Sequence, residues 1–306
     1  MRRVFSLACF TASLLWLVVA GICLLNLPQA KAYLIDIFSA PLLVAAVICL
    51  AFLALMKQRL SALVTLIAVA GLTLSLWGQM FPARPAPDLS AKPVRLIFAN
   101  LWIKNQTPEK LVDWVESEQP DIVALVEVGP LAEARLVEAL KTSLPHVARR
   151  HQTTVLSRFP ILSTSFSHTG YSMVLTKLDT PSGPLDLAVA HLTRPWPFTS
   201  PDDQPQQVRS LINDFSSPAS ARTVLVGDFN TTPSAAALSS FVDQTGFSHA
   251  AVTDGTWPAA LPAPLRLGID NAFAGQGLSL QNRRTGPTYG SDHKPIRIDI
   301  YPFASE

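Results

Sequence analysis

Six apolar runs in this 306-residue chain each end or begin on an Asn, Asp, Glu or His. Asn100 follows Leu96-Ile97-Phe98-Ala99, Glu127 follows Ile122-Val123-Ala124-Leu125-Val126, and His191 follows Leu187-Ala188-Val189-Ala190. Val224-Leu225-Val226 empties into Gly227-Asp228-Phe229-Asn230, Asp270 precedes Asn271-Ala272-Phe273, and Asp292-His293 stands before Pro295-Ile296. Side chains at i and i+2 of an extended segment share a face, so Asp228 and Asn230 are expected to converge at a strand's mouth. Taken singly, each residue reads as a solvated loop residue, a cap or a structural histidine. Only the ordered set is specific. Carboxylates, amides and imidazoles gathered at one sheet edge read as an enzyme active site suited to proton transfer and charge stabilisation. No Ser nucleophile motif, Cys-His pair or Walker loop competes with this reading. A zinc site is excluded because residues 94–306 hold no Cys and the histidines are scattered.

Strands and helices must alternate to place these residues. From residue 94 onward, 213 residues are enough for one sizeable core. Strands are expected at 94–100, 121–126, 151–156, 172–178, 185–192, 223–226, 271–273 and 296–300. Helical spacing appears at 108–117, 131–140, 206–215 and 234–245, and the Pro-rich 195–205 reads as an exposed loop. The fold class is therefore α/β, with two β-sheets packed face to face and covered by helices.

The N-terminal part is of another kind. Residues 1–93 carry seven basic against two acidic residues, a charge of +5, which leaves 17 against 20, or −3, for residues 94–306. Residues 4–27, 37–56 and 60–81 are uncharged, apolar nearly all round and ~20 residues long, so each is expected to cross a bilayer as a helix. Residues 1–81 thus form an all-α anchor of three transmembrane helices. Residues 82–93, rich in Pro, form a semi-rigid linker holding the 94–306 domain off the membrane. Arg2-Arg3 and Lys57-Gln58-Arg59 place those ends in the cytoplasm, which puts residue 94 onward on the extracytoplasmic side of a multi-pass plasma (inner) membrane protein. Ala30-Lys31-Ala32 is an alternative leader-cleavage site, and cleavage there leaves the location of the domain unchanged. Cys9, Cys23 and Cys49 all fall in the spans. The spans lack interior charge, so they read as an anchor and not as a transport path.

The ordered set resembles the endonuclease/exonuclease/phosphatase superfamily, with its DNase I-like and exonuclease III-like members. The likeness covers residues 94–306 and rests on Gly227-Asp228-Phe229-Asn230 and Ser291-Asp292-His293-Lys294-Pro295, supported by Ser157-Arg158-Phe159-Pro160-Ile161 and Ala190-His191-Leu192. With its anchor, the chain further resembles a membrane-bound bacterial subgroup related to glycopeptide-resistance membrane proteins. One departure is Val126, where the family commonly has Gln before its metal-binding Glu. The resemblance implies a four-layered α/β sandwich that hydrolyses phosphate esters. Glu127 would bind Mg²⁺ or Mn²⁺ with Asn100 and Asp292 nearby, since hard oxygen donors suit these ions. Asp228 would orient or deprotonate water, Asn230 would fix phosphate or nucleophile, and His293, oriented by Asp270, would act on the phosphoryl group. His191 would stabilise its developing charge. Which of Asp228 and His293 is the general base stays open.

Charge then bears on the substrate. A domain at −3, with only the Arg149-Arg150 and Arg283-Arg284 doublets, lacks the broad basic footprint that nucleic acid demands. A phosphorylated, lipid-linked substrate such as a polyprenyl phosphate or pyrophosphate suits the membrane anchor better. A nuclease and a catalytically dead binding module are the alternatives. Trp196 and Phe198, in the Pro-rich loop, are expected to pack on the domain, the alternative being insertion into a headgroup layer.

Overall fold

The computed structural model describes residues 1–27, 33–166, 171–195 and 203–304. It begins with α1 (Arg2–Leu25), the short α2 (Tyr33–Asp36), α3 (Ser39–Leu55) and α4 (Arg59–Met80). Then follow β1 (Val94–Asn100), α5 (Lys110–Glu118), β2 (Ile122–Val126), α6 (Pro130–Leu140), β3 (His146–Arg150), β4 (Thr153–Ser157), β5 (Ile161–Phe166), β6 (Ser172–Thr180) and β7 (Gly183–His191). The remainder is α7 (Asp203–Phe215), β8 (Thr223–Asp228), α8 (Ala236–Thr245), β9 (Ser248–His249), β10 (Asp270–Ala274), β11 (Leu278–Thr285) and β12 (Ile296–Pro302).

The strands form two six-stranded mixed sheets, ordered β11-β12-β1-β2-β4-β3 and β5-β6-β7-β8-β10-β9. Strand periodicity sorts their side chains. Leu96 and Phe98 of β1 meet Val224 and Val226 of β8 between the sheets, together with Ile122, Leu187 and Val189. The alternate residues Ile97 and Ala99 face outward against Leu111 and Val115 of α5 and Leu136 and Leu140 of α6. On the other sheet Ala188, Leu225 and Phe273 pack on Val208, Leu211 and Phe215 of α7 and Leu238 and Phe241 of α8. Both faces of the central strands are covered, which is why those strands read as unbroken apolar runs.

Several boundaries differ from the sequence expectation. The strand expected at 151–156 is a hairpin, β3 and β4, turning at His151, whose φ is +51°. Both β5 and β11 are additional; β5 is polar and mostly exposed, and β11 carries a bulge between Gln281 and Arg284, so neither shows an apolar run. Part of the expected loop at 195–205 is helical, because α7 starts at Asp203. Trp196, Phe198 and Ala30-Lys31-Ala32 lie outside the described residues.

Of the expected spans, α1 and α4 are long and apolar enough to cross a membrane. At 17 residues α3 is shorter, about 26 Å against a hydrocarbon core of about 30 Å. Ile37 and Phe38 leave it to pack on the second sheet's loops with Ala235, Leu267 and Ile269. The 82–93 segment is no free spacer. Asp88 N donates to Pro302 O (2.9 Å), Ala304 N to Ala86 O (3.0 Å) and Ser279 Oγ to Pro85 O (2.6 Å), fastening it to β11 and the end of β12.

Candidate active site

Sheet register sets the site. In adjacent strands His191 pairs with Asp228 (β7–β8) and Asp228 with Asp270 (β8–β10), so three candidates stand in one row. Asn100 and Val126 end β1 and β2 in register on the facing sheet, bringing Glu127 opposite that row. Gly227 is required here: a Cβ on it would lie 2.0 Å from the Ala190 carbonyl oxygen, because β7 and β8 run tightly together where the row is built.

Short side-chain-closed turns follow β1 and β8 and lie in the loop ahead of β12. Asn100 Oδ1 accepts from Trp102 N (2.9 Å), Asp228 Oδ1 from Asn230 N (2.8 Å), and Ser291 Oγ from His293 N (3.0 Å). Each is an i to i+2 closure of the type that Asx and Ser favour. Asn230 therefore does not meet Asp228 by extended alternation; β8 stops at Asp228, and Asn230 has φ +49°. Trp102 and Glu127 also hold positive φ, +54° and +53°. Left-handed backbone at non-glycine residues is uncommon, and three instances, Trp102, Glu127 and Asn230, fall at the strand mouths of the site.

The side chains interlock. Asn100 Nδ2 donates to Glu127 Oε1 (2.9 Å) and to Asp228 Oδ2 (3.0 Å), tying the two sheets together at their ends. Its carbonyl accepts from the Tyr289 hydroxyl and from Ser291 Oγ. His293 Nδ1 lies 2.8 Å from Asp270 Oδ2, and its Nε2 lies 3.7 Å from Asp228 Oδ2. His191 Nε2 sits 3.7 Å from Glu127 Oε1 and 3.8 Å from Asp228 Oδ2. Asn230 Nδ2 is engaged by the Leu192 carbonyl (2.9 Å). Asp292 accepts on Oδ2 from Trp257 Nε1 (3.1 Å), while its buried Oδ1 meets no partner among the described residues. All the sequence candidates are thus in one neighbourhood.

A cavity of about 850 Å³ opens on Glu127, His191, Asp228, Asn230, Asp292 and His293. Asn100 and Asp270 lie behind its wall, holding those side chains. Trp102, Arg150, Tyr171, Gln207 and Trp257 also line it, and sequence reasoning missed them as site residues, because isolated aromatic or polar residues beside loops carry no pattern. Arg283 belongs to one of the two basic doublets of the domain. Its guanidinium turns inward, donating to the Asp254 and Asp270 carbonyls at 3.1 Å each. Burial pulls its guanidinium down to about 10, against the opposing pull of Asp270 and Asp254.

Electrostatics separate the two central groups. Burial, then the neighbouring Asp270, push the Asp228 carboxyl up to about 6, with His293 and His191 opposing. Burial alone works to lower His293, but Asp270 and Asp228 outweigh it and hold the imidazole up at about 10. At neutral pH Asp228 is therefore largely ionised and His293 is an imidazolium.

The donors suit a divalent cation. Glu127, His191 and Asp228 offer ligand atoms within 4.8 Å of one another, as do Asp228, Asp270 and His293. Asp292, whose Oδ1 meets no hydrogen-bond partner among the described residues, also lines this cavity. The Asn100 amide differs from its expected part, since its oxygen is held by Trp102 N–H and its nitrogen faces two carboxylates.

The fold is shared with solved structures. A Bacteroides vulgatus endonuclease/exonuclease/phosphatase superposes with a TM-score of 0.57 at 16% identity, covering 69% of this chain and 100% of that one. A D. rerio TDP2 complexed with a single-strand DNA product gives 0.56 at 14% identity over 69% and 99%. Sphingomyelinase C from Streptomyces griseocarneus gives 0.50 at 14% over 68% and 99%. A search by sequence among curated proteins finds no match. The model of the endonuclease/exonuclease/phosphatase family matches residues 97–293, a span that holds every one of the candidate residues. The chain belongs to the endonuclease/exonuclease/phosphatase family and is a hydrolase of phosphate ester bonds.

Proposed function

We propose that this protein is a membrane-anchored, divalent-metal-dependent phosphoesterase acting on a lipid-linked phosphate or pyrophosphate. The observation that carries this reading is the Asp270–His293–Asp228 line, 2.8 and 3.7 Å between successive groups, at a cavity where Asp292 keeps an unpartnered buried oxygen. Glu127 and Asp292, with Asn100 bracing Glu127, would hold Mg²⁺ or Mn²⁺. Such an ion supplies neutralisation of phosphoryl charge. Asp228, ionised at neutral pH, is the general base that takes a proton from water. His293, kept protonated by Asp270 and Asp228, stabilises charge on the phosphoryl oxygens and is not the base. His191, half-buried at the cavity, serves the same charge, and Asn230 orients the water or phosphate. A loose phosphoryl-transfer transition state needs this positioning and charge more than it needs a covalent nucleophile.

Two observations favour lipid over nucleic acid. Trp257 lines the cavity and also packs on the cluster to which the anchor contributes Ile37, so one packed cluster links the site to the helical region. The −3 charge of residues 94–306 works against a polyanion. Within this reading α3 is a third span alongside α1 and α4, residues 94–306 are the extracytoplasmic catalytic domain, and the protein belongs with the membrane-bound subgroup named above. The full chain in nanodiscs with Mg²⁺ or Mn²⁺ is expected to release phosphate from a polyprenyl pyrophosphate and to leave single-stranded DNA and RNA intact. Faster cleavage of DNA or RNA than of any lipid phosphate overturns the substrate reading. Undiminished turnover after chelation overturns the metal.

A further inference from the structure

Two loops that build the cavity rest on the anchor. The first leads from β8 into α8. That helix has Ala235 at its N-cap and no side-chain cap of its own; its first N–H, on Ala236, is taken by Asp36 Oδ2 at 2.9 Å. Gln79, at the end of α4, accepts on Oε1 from Ser234 Oγ (2.9 Å). The second loop runs from residue 250 to β10. Val252 N donates to the Gln79 carbonyl (2.9 Å), and Leu267 and Ile269 enclose Ile37, which is 1% exposed. Trp257 packs on this same cluster and bonds Leu267 in both directions through the backbone. Its indole N–H then reaches Asp292 Oδ2 (3.1 Å).

We propose that the docked segment comprising Leu34, Ile35, Asp36, Ile37 and Phe38 is a structural part of the active site: it seats Trp257, and Trp257 orients Asp292 as a positioning residue. A carboxylate with one oxygen committed to a fixed donor presents the other in a defined direction, and partners behind a metal ligand set its affinity strongly. Removing the docking contact frees the 253–259 segment and lets Asp292 turn. The claim about Asp292 rests on its proposed metal-binding role; the docking claim does not.

The full chain in nanodiscs tests both. Mn²⁺ binding is read directly from the spin-resonance signal of free ion, and hydrogen exchange is followed over residues 253–259, with β4 as the control for an intact fold. Trp257→Phe keeps the packing and removes the donor; Ile37→Ala and Asp36→Ala weaken the dock. Each variant is expected to weaken Mn²⁺ binding by about 10-fold. Ile37→Ala combined with Trp257→Phe should weaken it no further than the stronger single change, because both act on one carboxylate. The two docking variants should also speed exchange over 253–259 while β4 stays protected. Wild-type Mn²⁺ affinity and exchange in both docking variants overturn the proposal. A wild-type chain that binds no Mn²⁺ defeats the metal reading instead, and the exchange measurement still decides the dock.

Discussion

Charged side chains at the strand mouths and charged side chains on the outer helices live under different conditions in this protein. Lys141 and Glu138 on and beside α6 are 61% and 72% exposed, and their 2.5 Å ion pair sits in water. Asp228, Asp270 and His293 are 1%, 0% and 5% exposed, and two acids crowd one imidazole. A helix-surface pair is screened and contributes little. The buried group is held at a cost, with Asp228 driven above its ordinary range and one Asp270 oxygen left unpartnered among the described residues. Stability alone does not select for such crowding. Perturbed groups at a cavity mark where chemistry is done.

Substitutions at both places test that contrast. Asp228→Asn should lower phosphate release by about 10³-fold, within the range for loss of a general base. It should also raise Tm at pH 7.5. The folded carboxyl titrates at about 6 instead of 3.8, so folding favours its proton between those values and its ionised form costs stability above them. The gain in Tm should therefore shrink as pH falls from 6 and vanish below 3.8; a lower Tm at pH 7.5 would break the contrast. Asp270→Asn should cost about 10²-fold in turnover and make His293 lose its proton at lower pH, read by imidazole NMR. The raised His293 value means that its charge stabilises the fold fully below 6.5 and that this contribution is lost as pH rises through about 10. In Asp270→Asn that alkaline loss should flatten. Gly227→Ala forces a carbon against the Ala190 carbonyl and should destabilise by about 1–3 kcal/mol in urea unfolding. Lys141→Ala should change stability by less than ~0.5 kcal/mol; a larger loss would mean that surface pairs here are not ordinary.

How far the sequence discloses the molecule depends on pattern. Central strands such as β1, β2 and β8 are buried on both faces, so their apolar runs announce them and the polar residues at their exits stand out. The edge strand β5 and the bulged β11 have no such run and are silent. The candidates were legible because each stands at or close to the end or the start of an apolar strand. Their mutual geometry was not: the approach of Asn230 to Asp228 depends on a left-handed residue and an Asx closure, which alternation does not express. Trp257 and Arg283 gave no signal, since their roles come from contacts with residues distant in sequence. Ile37 and Phe38 read as membrane residues by hydropathy, yet protein is what covers them.

The fastening of residues 82–93 along β11 and β12, beside the separate holds of Asp36 and Gln79, leaves the chain no slack between its helices and its catalytic face. In the membrane-anchored reading proposed above, the enzyme would be a station at fixed height, not a swimmer on a tether. Its catch is set by what arrives at that height, and inserting extra residues into the 82–93 stretch would not widen its reach while the other two holds remain.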